Sequence, residues 1–154
     1  MSQHDEVDYR LRPTEGYVEE AREDAALRRW RSCVDNSQLA AENATKAILA
    51  RVGPVGRTHH PATLFMTAVG EQRYPSALTA QLQRLAECAR ALGTQVHNES
   101  AYGNELARRT PWEIFGEAEA RRALRPGRRG PGAGKADRRR RAAAMMEKIP
   151  KLGS

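Results

Sequence analysis

The most constraining feature of the sequence is a regular apolar seam in its second half. The seam consists of Leu78, Leu82, Leu85, Ala89, Leu92 and Val96. Its members are separated alternately by four and three residues, which is the heptad spacing of a helix that packs along its length against another helix. We therefore predict one helix from about Ser76 through Val96, packed against a neighbour in the same chain or in a second copy.

Apolar residues also recur at helical spacing on the N-terminal side of the seam. They predict a first helix over residues 15–34, a turn at residues 35–37 with good N-cap side chains, and a second helix over residues 37–52. The dipeptide Gly53-Pro54 is a strong stop signal for the second helix. The chain has only two Phe and two Trp, so its core must consist mainly of aliphatic residues, which favours helices over sheets.

Local signals delimit two further helical segments. Pro61 can occupy the first position of a third helix, and Gly70 can close it. The stretch Thr110-Pro111-Trp112-Glu113 has the pattern of a capping box, which predicts a closing segment that ends near Leu124. Trp30 and Trp112 are expected in the core or at an interface, and not as surfaces on which bases stack.

Together these elements predict an all-α fold, an up-and-down helical bundle of about four to five helices over residues 15–124. We expect residues 1–14 to be a flexible leader and residues 125–154 to be a disordered basic tail. Residues 125–135 are rich in Gly and Pro, which is typical of a linker. Residues 138–148 are able to form a last helix.

The net charge of +7 is unevenly distributed along the chain. Residues 121–154 contain 12 Lys and Arg against 2 acidic residues, whereas residues 1–120 contain 14 against 17. The predicted bundle is therefore slightly acidic, and the tail is the candidate for binding nucleic acid because each cation that contacts a phosphate releases counterions. The candidate residues are Arg125, Arg128, Arg129, Arg138, Arg139, Arg140 and Arg141. A solubilising extension without a binding role is the alternative.

Other function classes find little support in the sequence. Cys33 and Cys88 lie in apolar helical stripes, where buried structural thiols are usual, although a disulfide between them remains an alternative. The four His and two Cys residues show no metal-site spacing, so we expect neither a metal nor another cofactor. The polar N-terminus and the lack of a long apolar run predict a cytoplasmic protein with no membrane contact.

Three further pieces of the sequence occur in a characteristic order. They are the alanine-rich residues 36–49, which contain Ala41-Glu42 and Lys46-Ala47, then Thr58-His59 followed by Leu64, and then Tyr102-Gly103 with residues 110–115 and Glu119-Ala120. In this order they resemble the HEPN family of small helical domains. The resemblance covers roughly residues 17–124. It implies a helical bundle that commonly forms a homodimer. Many family members are encoded beside a minimal nucleotidyltransferase as a toxin–antitoxin pair.

Active members of that family are metal-independent ribonucleases with an Arg, four to six residues, and then a His. Arg90 and His97 are the pair here that fits this motif, and a seven-residue separation places both on one face of a continuous helix. A neutral His can remove a proton from a ribose 2′-hydroxyl, and an Arg can stabilise the charge on a phosphate. Ala91 and Glu99 depart from the residues that active members usually carry, and Gly93 weakens the helix.

The sequence therefore supports a HEPN-domain protein that acts on or binds RNA or nucleotides. The finer hypothesis is a toxin–antitoxin type, metal-independent ribonuclease that works with a nucleotidyltransferase partner, with Arg90 and His97 as its catalytic residues. The alternative is a noncatalytic helical dimer that binds a protein partner or a nucleotide, in which Arg90 is a solvated flank residue and His97 caps a helix end. A third reading is an unrelated helical scaffold whose basic tail alone binds nucleic acid.

Overall fold

A computed structural model describes residues 2–58, 60–125 and 135–149, and within these ranges the chain is helical and forms no β-strand. The helices are α1 (Gln3–Ala26), α2 (Trp30–Val52), α3 (Pro61–Gly70), α4 (Thr79–Ala91), α5 (Thr94–Tyr102), α6 (Pro111–Ile114), α7 (Glu117–Leu124) and α8 (Lys135–Glu147). A 3-10 turn at Ser76–Leu78 leads into α4. The prediction of an all-α helical bundle is confirmed.

The first helix begins much earlier than the sequence analysis predicts. A capping box starts it, because the Ser2 backbone N–H donates to Asp5 Oδ2 over 3.0 Å and the Asp5 N–H donates to Ser2 Oγ over 3.2 Å. Val7 is only 4% exposed and lies in the main core cluster. The sequence analysis places residues 1–14 in a flexible leader, whereas the structure includes residues 3–14 in α1, where burial of Val7 fixes this segment to the bundle.

The turn between α1 and α2 also lies elsewhere. The chain turns at residues 27–29, where Arg28 adopts a left-handed conformation with φ of 57° and Arg29 N–H donates to Asp24 O over 2.8 Å. The predicted turn at residues 35–37 is inside α2. Its polar side chains have other partners: Ser37 Oγ donates to the Cys33 carbonyl, and Asp35 accepts a hydrogen bond from Ser100.

The bundle contains two apolar clusters that α2 spans. The larger cluster joins the C-terminal half of α2 to α3 and α4, and Phe65 and Leu82 are fully buried in it. The smaller cluster joins Cys33 and Val34 of α2 to α1 and to the segment of α6 and α7. Because both clusters include α2, this helix contacts α1, α3, α4, α5, α6 and α7.

The predicted seam helix is broken near its end. The helix α4 ends at Ala91, the Gly93 N–H donates to Arg90 O over 3.2 Å, and α5 begins at Thr94. Leu78 and Leu82 of the seam lie in the larger cluster and Leu85 packs against it, whereas Leu92 and Val96 pack against the smaller one. Because of the break, residues of the one apolar seam pack against two different clusters of the same chain.

Several boundaries that depend on local signals are confirmed. The helix α2 ends at Val52 before Gly53, Pro61 is the first residue of α3, and α3 ends at Gly70. The Thr110 N–H and hydroxyl both donate to Glu113 Oε2, over 2.7 and 2.8 Å, as the capping-box pattern predicts. None of the helices in the described ranges is long and apolar enough to cross a membrane.

The C-terminal segment is bound to the bundle. Residues 126–134 and 150–154, which include most of the predicted linker, lie outside the described residues. The predicted last helix is present as α8. Beyond it Ile149 is completely buried in the larger cluster, and Arg51 Nη2 donates to the Ile149 carbonyl over 2.8 Å. Residues 135–149 thus differ from the rest of the predicted disordered tail, because they contain α8 and because Met146 and Ile149 contribute to the core.

We expect Ile149→Ala to lower the free energy of unfolding by about 2–4 kcal/mol, because it removes a fully buried side chain from the core. Lys148→Ala is the matched control, since Lys148 is an exposed neighbour and its replacement should change stability by no more than about 0.5 kcal/mol. Urea unfolding followed by circular dichroism measures both. Equal stabilities of the two variants would mean that the C-terminal segment does not pack on the bundle.

Candidate functional site

A polar cleft lies where α2, the start of α3 and the junction of α4 and α5 meet. Its cavity measures about 150 Å³. The polar side chains that line it are Gln38, Glu42 and Thr45 from α2, His60 and Thr63 at the start of α3, and Arg90 and Thr94 beside the α4–α5 break. The cleft exists because the break at Gly93 turns the chain next to the α2 surface.

The floor of the cleft is a connected row of polar groups along α2. Gln38, Glu42 and Lys46 follow one another at intervals of four residues, so they lie on one face of the helix. Lys46 Nζ donates to Glu42 Oε1 over 2.6 Å, and Gln38 Nε2 donates to Glu42 Oε2 over 3.1 Å. Glu42 and Lys46 therefore form an ion pair, and both carboxylate oxygens of Glu42 are engaged.

The row continues from α2 to His97 on α5. The amide nitrogen of Gln38 is held by Glu42, so the amide oxygen of Gln38 faces the imidazole, and it lies 3.2 Å from His97 Nδ1. An amide oxygen can only accept, so a neutral His97 carries its proton on Nδ1 in this arrangement. Its Nε2 is left as a hydrogen-bond acceptor. We refer to Glu42, Gln38 and His97 as the relay.

The Glu42 carboxyl is the charged end of the relay. Burial acts to raise its pKa, but the hydrogen bonds from Lys46 and Gln38, together with the charge of Lys46 and the electrostatic effect of His97, outweigh burial and hold the pKa below its ordinary value. Glu42 therefore remains ionised around neutral pH. Its negative charge also disfavours an anion at the cleft floor, so a phosphate is better placed at the rim.

The rim carries two groups that can donate hydrogen bonds to an anion. Arg90 projects from the last turn of α4 and is exposed, and the exposed His60 lies directly before Pro61 at the start of α3. His60 Nδ1 is 2.9 Å from Thr94 Oγ1, so this contact ties the start of α3 to the start of α5. The sequence analysis missed His60. Its position directly before a helix-initiating proline was the available signal.

The predicted pair of Arg90 and His97 is only partly brought together. Arg90 lines the cleft directly, whereas His97 is connected to it through Gln38. The two residues lie on different helices, so the expectation that they share one face of a continuous helix is wrong, and the physical reason is the break at Gly93. A Cβ on Gly93 would lie 3.1 Å from the Arg90 carbonyl, which is a tight contact.

The predicted nucleic-acid-binding residues of the tail are spread over several environments. Arg125 is exposed directly after α7, and Arg140 and Arg141 are exposed on α8. Arg138 and Arg139 lie within α8, and Arg128 and Arg129 lie outside the described residues. Binding of nucleic acid by these residues stays a prediction.

The two cysteines are not among the residues that line the cleft. Cys33 is buried in the smaller cluster and Cys88 is half-buried on α4, and both thiols are free. Burial raises the pKa of each thiol. Across residues 2–58, 60–125 and 135–149, no three His, Cys, Asp or Glu side chains are grouped so that they could hold a metal ion.

The fold thus defines a small helical-bundle domain with a polar cleft beside its central helix. The family model of the HEPN domain matches residues 7–125, which is more than half of the chain. The chain belongs to the HEPN domain family, and this membership supports, in a broad sense, a function related to nucleotides or RNA. No curated protein and no solved structure matches the chain significantly.

The lowered pKa of Glu42 predicts a specific dependence of stability on pH. A carboxyl whose pKa is lower in the folded state stabilises the fold above its unfolded pKa of about 4.3, and this contribution is lost as the pH falls through the folded pKa. We expect Glu42→Gln to be less stable than the wild type by about 1 kcal/mol at pH 7. The difference should shrink below about pH 4.

Chemical unfolding of both proteins over a series of pH values measures this difference. Glu87→Gln is the control, because Glu87 is an exposed carboxylate on α4 away from the relay. A stability difference between wild type and Glu42→Gln that does not change with pH would contradict the ionic role of Glu42.

Proposed function

We propose that this HEPN domain cleaves RNA without a metal ion, with the scissile phosphate at the rim of the cleft and His97 as the general base. The relay is the observation that carries the proposal. A base needs an unprotonated nitrogen that is held in position, and the contacts of Glu42 and Gln38 supply both conditions for His97 Nε2. This arrangement uses the same logic as a histidine oriented by a buried acidic group in hydrolases.

The reaction needs only groups of this chain and of the RNA. His97 Nε2 takes the proton of a ribose 2′-hydroxyl as the 2′-oxygen forms a bond to the neighbouring phosphorus. The bond from phosphorus to the 5′-oxygen breaks, and that oxygen accepts a proton. The products are a 2′,3′-cyclic phosphate and a 5′-hydroxyl. Arg90 donates to the nonbridging oxygens, on which negative charge develops in the transition state.

His60 is the residue that we assign to protonation of the leaving 5′-oxygen. An in-line displacement places the attacking and leaving oxygens on opposite sides of the phosphorus. The base and the acid must then approach from opposite sides as well. His60 lines the cleft at the start of α3, whereas His97 lies on α5 and contacts Gln38, which lines the cleft from α2.

The proposal extends to the assembly of the protein. We expect a homodimer, as the family resemblance implies, and a nucleotidyltransferase as the partner in a toxin–antitoxin pair. The alternative function is a noncatalytic module that binds a nucleotide or a protein partner. The specific observation in its favour is the ionised Glu42 in the cleft floor, because a carboxylate near the phosphate opposes the charge that cleavage develops.

A ribonuclease assay in the presence of EDTA tests the proposal. We expect the wild type to cleave a single-stranded RNA, His97→Ala to lose about 10²- to 10⁴-fold of the rate, and Arg90→Ala to lose about 10²- to 10³-fold. Arg84→Ala is the matched control, because Arg84 is an exposed arginine on α4 that does not line the cleft. No cleavage by a folded wild-type protein would favour the noncatalytic module.

Gln38→Leu tests the relay separately from the base. The substitution keeps the size of the side chain but removes the amide oxygen that faces His97 Nδ1. Gln38 is a positioning residue, so we expect kcat to fall roughly tenfold or more while KM changes little. If kcat and KM of Gln38→Leu both equal those of the wild type, the relay does not orient His97.

A further inference from the structure

A second group of polar contacts joins α5 to α2, one helical turn away from the relay. Ser100 of α5 is completely buried, and its hydroxyl donates to Asp35 Oδ1 of α2 over 2.8 Å. The same hydroxyl is shared with the His97 carbonyl, which lies 3.0 Å away. One buried side chain therefore connects Asp35 to the backbone of the proposed general base.

Arg31 holds the same residue of α5 by its backbone. The Arg31 Nε donates to the Ser100 carbonyl over 2.8 Å, and its Nη2 lies 3.7 Å from Asp35 Oδ2. The last carbonyls of a helix lack partners within the helix, so a cation beside them is favourable. The Arg31 guanidinium carbon also lies 5.8 Å from the ring centroid of Trp112, which is 73% exposed and therefore outside the core. We refer to Arg31, Asp35 and Ser100 as the clamp.

The clamp and the relay are in register with each other. Asp35 and Gln38 are three residues apart on α2. Their partners, Ser100 and His97, are also three residues apart, in the reverse order along α5. Three residues rise about 4.5 Å in either helix, so one position of α5 satisfies both contacts. A slide of α5 that breaks the contact of Ser100 would also separate His97 Nδ1 from the Gln38 amide oxygen.

The position of α5 depends on such contacts. It has only nine residues, and a helix of this length is marginal by itself. It begins directly after Gly93, which carries no side chain that could cap it, and it ends at Gly103, whose φ is 80°. Ser100 is buried, whereas Val96 is only partly buried against the smaller cluster. Apolar packing thus fixes α5 weakly, and its polar contacts with α2 decide where its residues lie.

We infer that the clamp positions the general base: Asp35, acting through the Ser100 hydroxyl, holds α5 in the register in which Gln38 fixes the Nδ1–H form of His97. Asp35 and Ser100 act through another residue, so both are positioning residues. A displacement of a reacting group by about 1 Å can lower a rate about 10²-fold. The catalytic consequence rests on the proposed function, whereas the effect on the imidazole is independent of it.

Nitrogen-15 NMR of the imidazole tests the position of His97 without any RNA. At about pH 8, above the usual titration range of histidine, the wild type should show His97 protonated on Nδ1 and unprotonated on Nε2. His97→Gln identifies its signals among those of the four histidines. Ser100→Ala removes the hydroxyl without adding an atom to the buried site. We expect this variant to show a mixture of both His97 tautomers.

Ser37→Ala is the matched control. Ser37 is also buried, but its hydroxyl donates to the Cys33 carbonyl of its own helix over 2.7 Å. Its loss removes a buried hydrogen bond and leaves the contact between α2 and α5 intact, so the His97 tautomer should stay that of the wild type. Asp35→Asn should also keep most of that tautomer, because an amide oxygen still accepts from Ser100, whereas Asp35→Leu should behave like Ser100→Ala.

The ribonuclease assay in EDTA gives the catalytic readout. We expect Ser100→Ala to lower kcat about 10- to 100-fold while KM stays within about twofold of the wild type. Ser37→Ala should leave both constants unchanged, and Asp35→Asn should retain most of kcat. Circular dichroism of each variant establishes that the bundle is folded.

The outcomes separate the clamp from the ribonuclease. A His97 tautomer that depends on Ser100, in a wild type that does not cleave RNA, would retain the clamp and remove the ribonuclease. Cleavage that depends on His97, with a tautomer and a kcat that Ser100→Ala leaves unchanged, would overturn the clamp alone. Equal changes in Ser100→Ala and Ser37→Ala would indicate a general loosening of the fold and would also overturn it. A wild type with Nδ1 of His97 unprotonated at this pH would overturn the relay and the clamp together.

Discussion

The burial of α2 is the constraint on which the rest of the structure depends. This helix contacts six others, so its inward-facing polar side chains have little access to water. A buried polar group that lacks a hydrogen bond costs about 1–3 kcal/mol. Gln38 and Glu42 satisfy this requirement by a hydrogen bond to each other and by contacts with His97 and Lys46. Arg51 satisfies part of it by donating a hydrogen bond to the Ile149 carbonyl. The need to hydrogen-bond the buried polar groups of α2 therefore accounts for the relay and for the contact with the C-terminal segment.

The second determinant is the break between α4 and α5. An uninterrupted helix would continue the seam along the larger cluster, and Thr94 and His97 would be carried away from α2. At Gly93 the chain turns instead, so that Leu92 and Val96 reach the smaller cluster while Arg90 remains beside the cleft. Gly93 lowers helix stability, and the turn that it allows forms one side of the cleft. The polar groups around this break come from segments that are distant in the sequence.

The sequence predicts those features that depend on neighbouring residues. Gly53-Pro54, Pro61 and the capping box at Thr110 act locally, and each boundary lies where its signal indicates. The turn predicted at residues 35–37 fails because Asp35 pairs with Ser100, 65 positions away. Of the residues around the cleft, the sequence analysis singled out Arg90 as a candidate, but neither His60 nor the Gln38 contact, since those depend on how α2, α3 and α5 pack.

Under the proposed function, the ionised Glu42 explains why binding energy is needed outside the cleft. A carboxylate in the floor weakens the attraction of Arg90 for a phosphate, so the cleft alone holds an RNA backbone poorly. Weak binding of the ground state does not hinder catalysis if remote contacts position the substrate and the local contacts strengthen in the transition state.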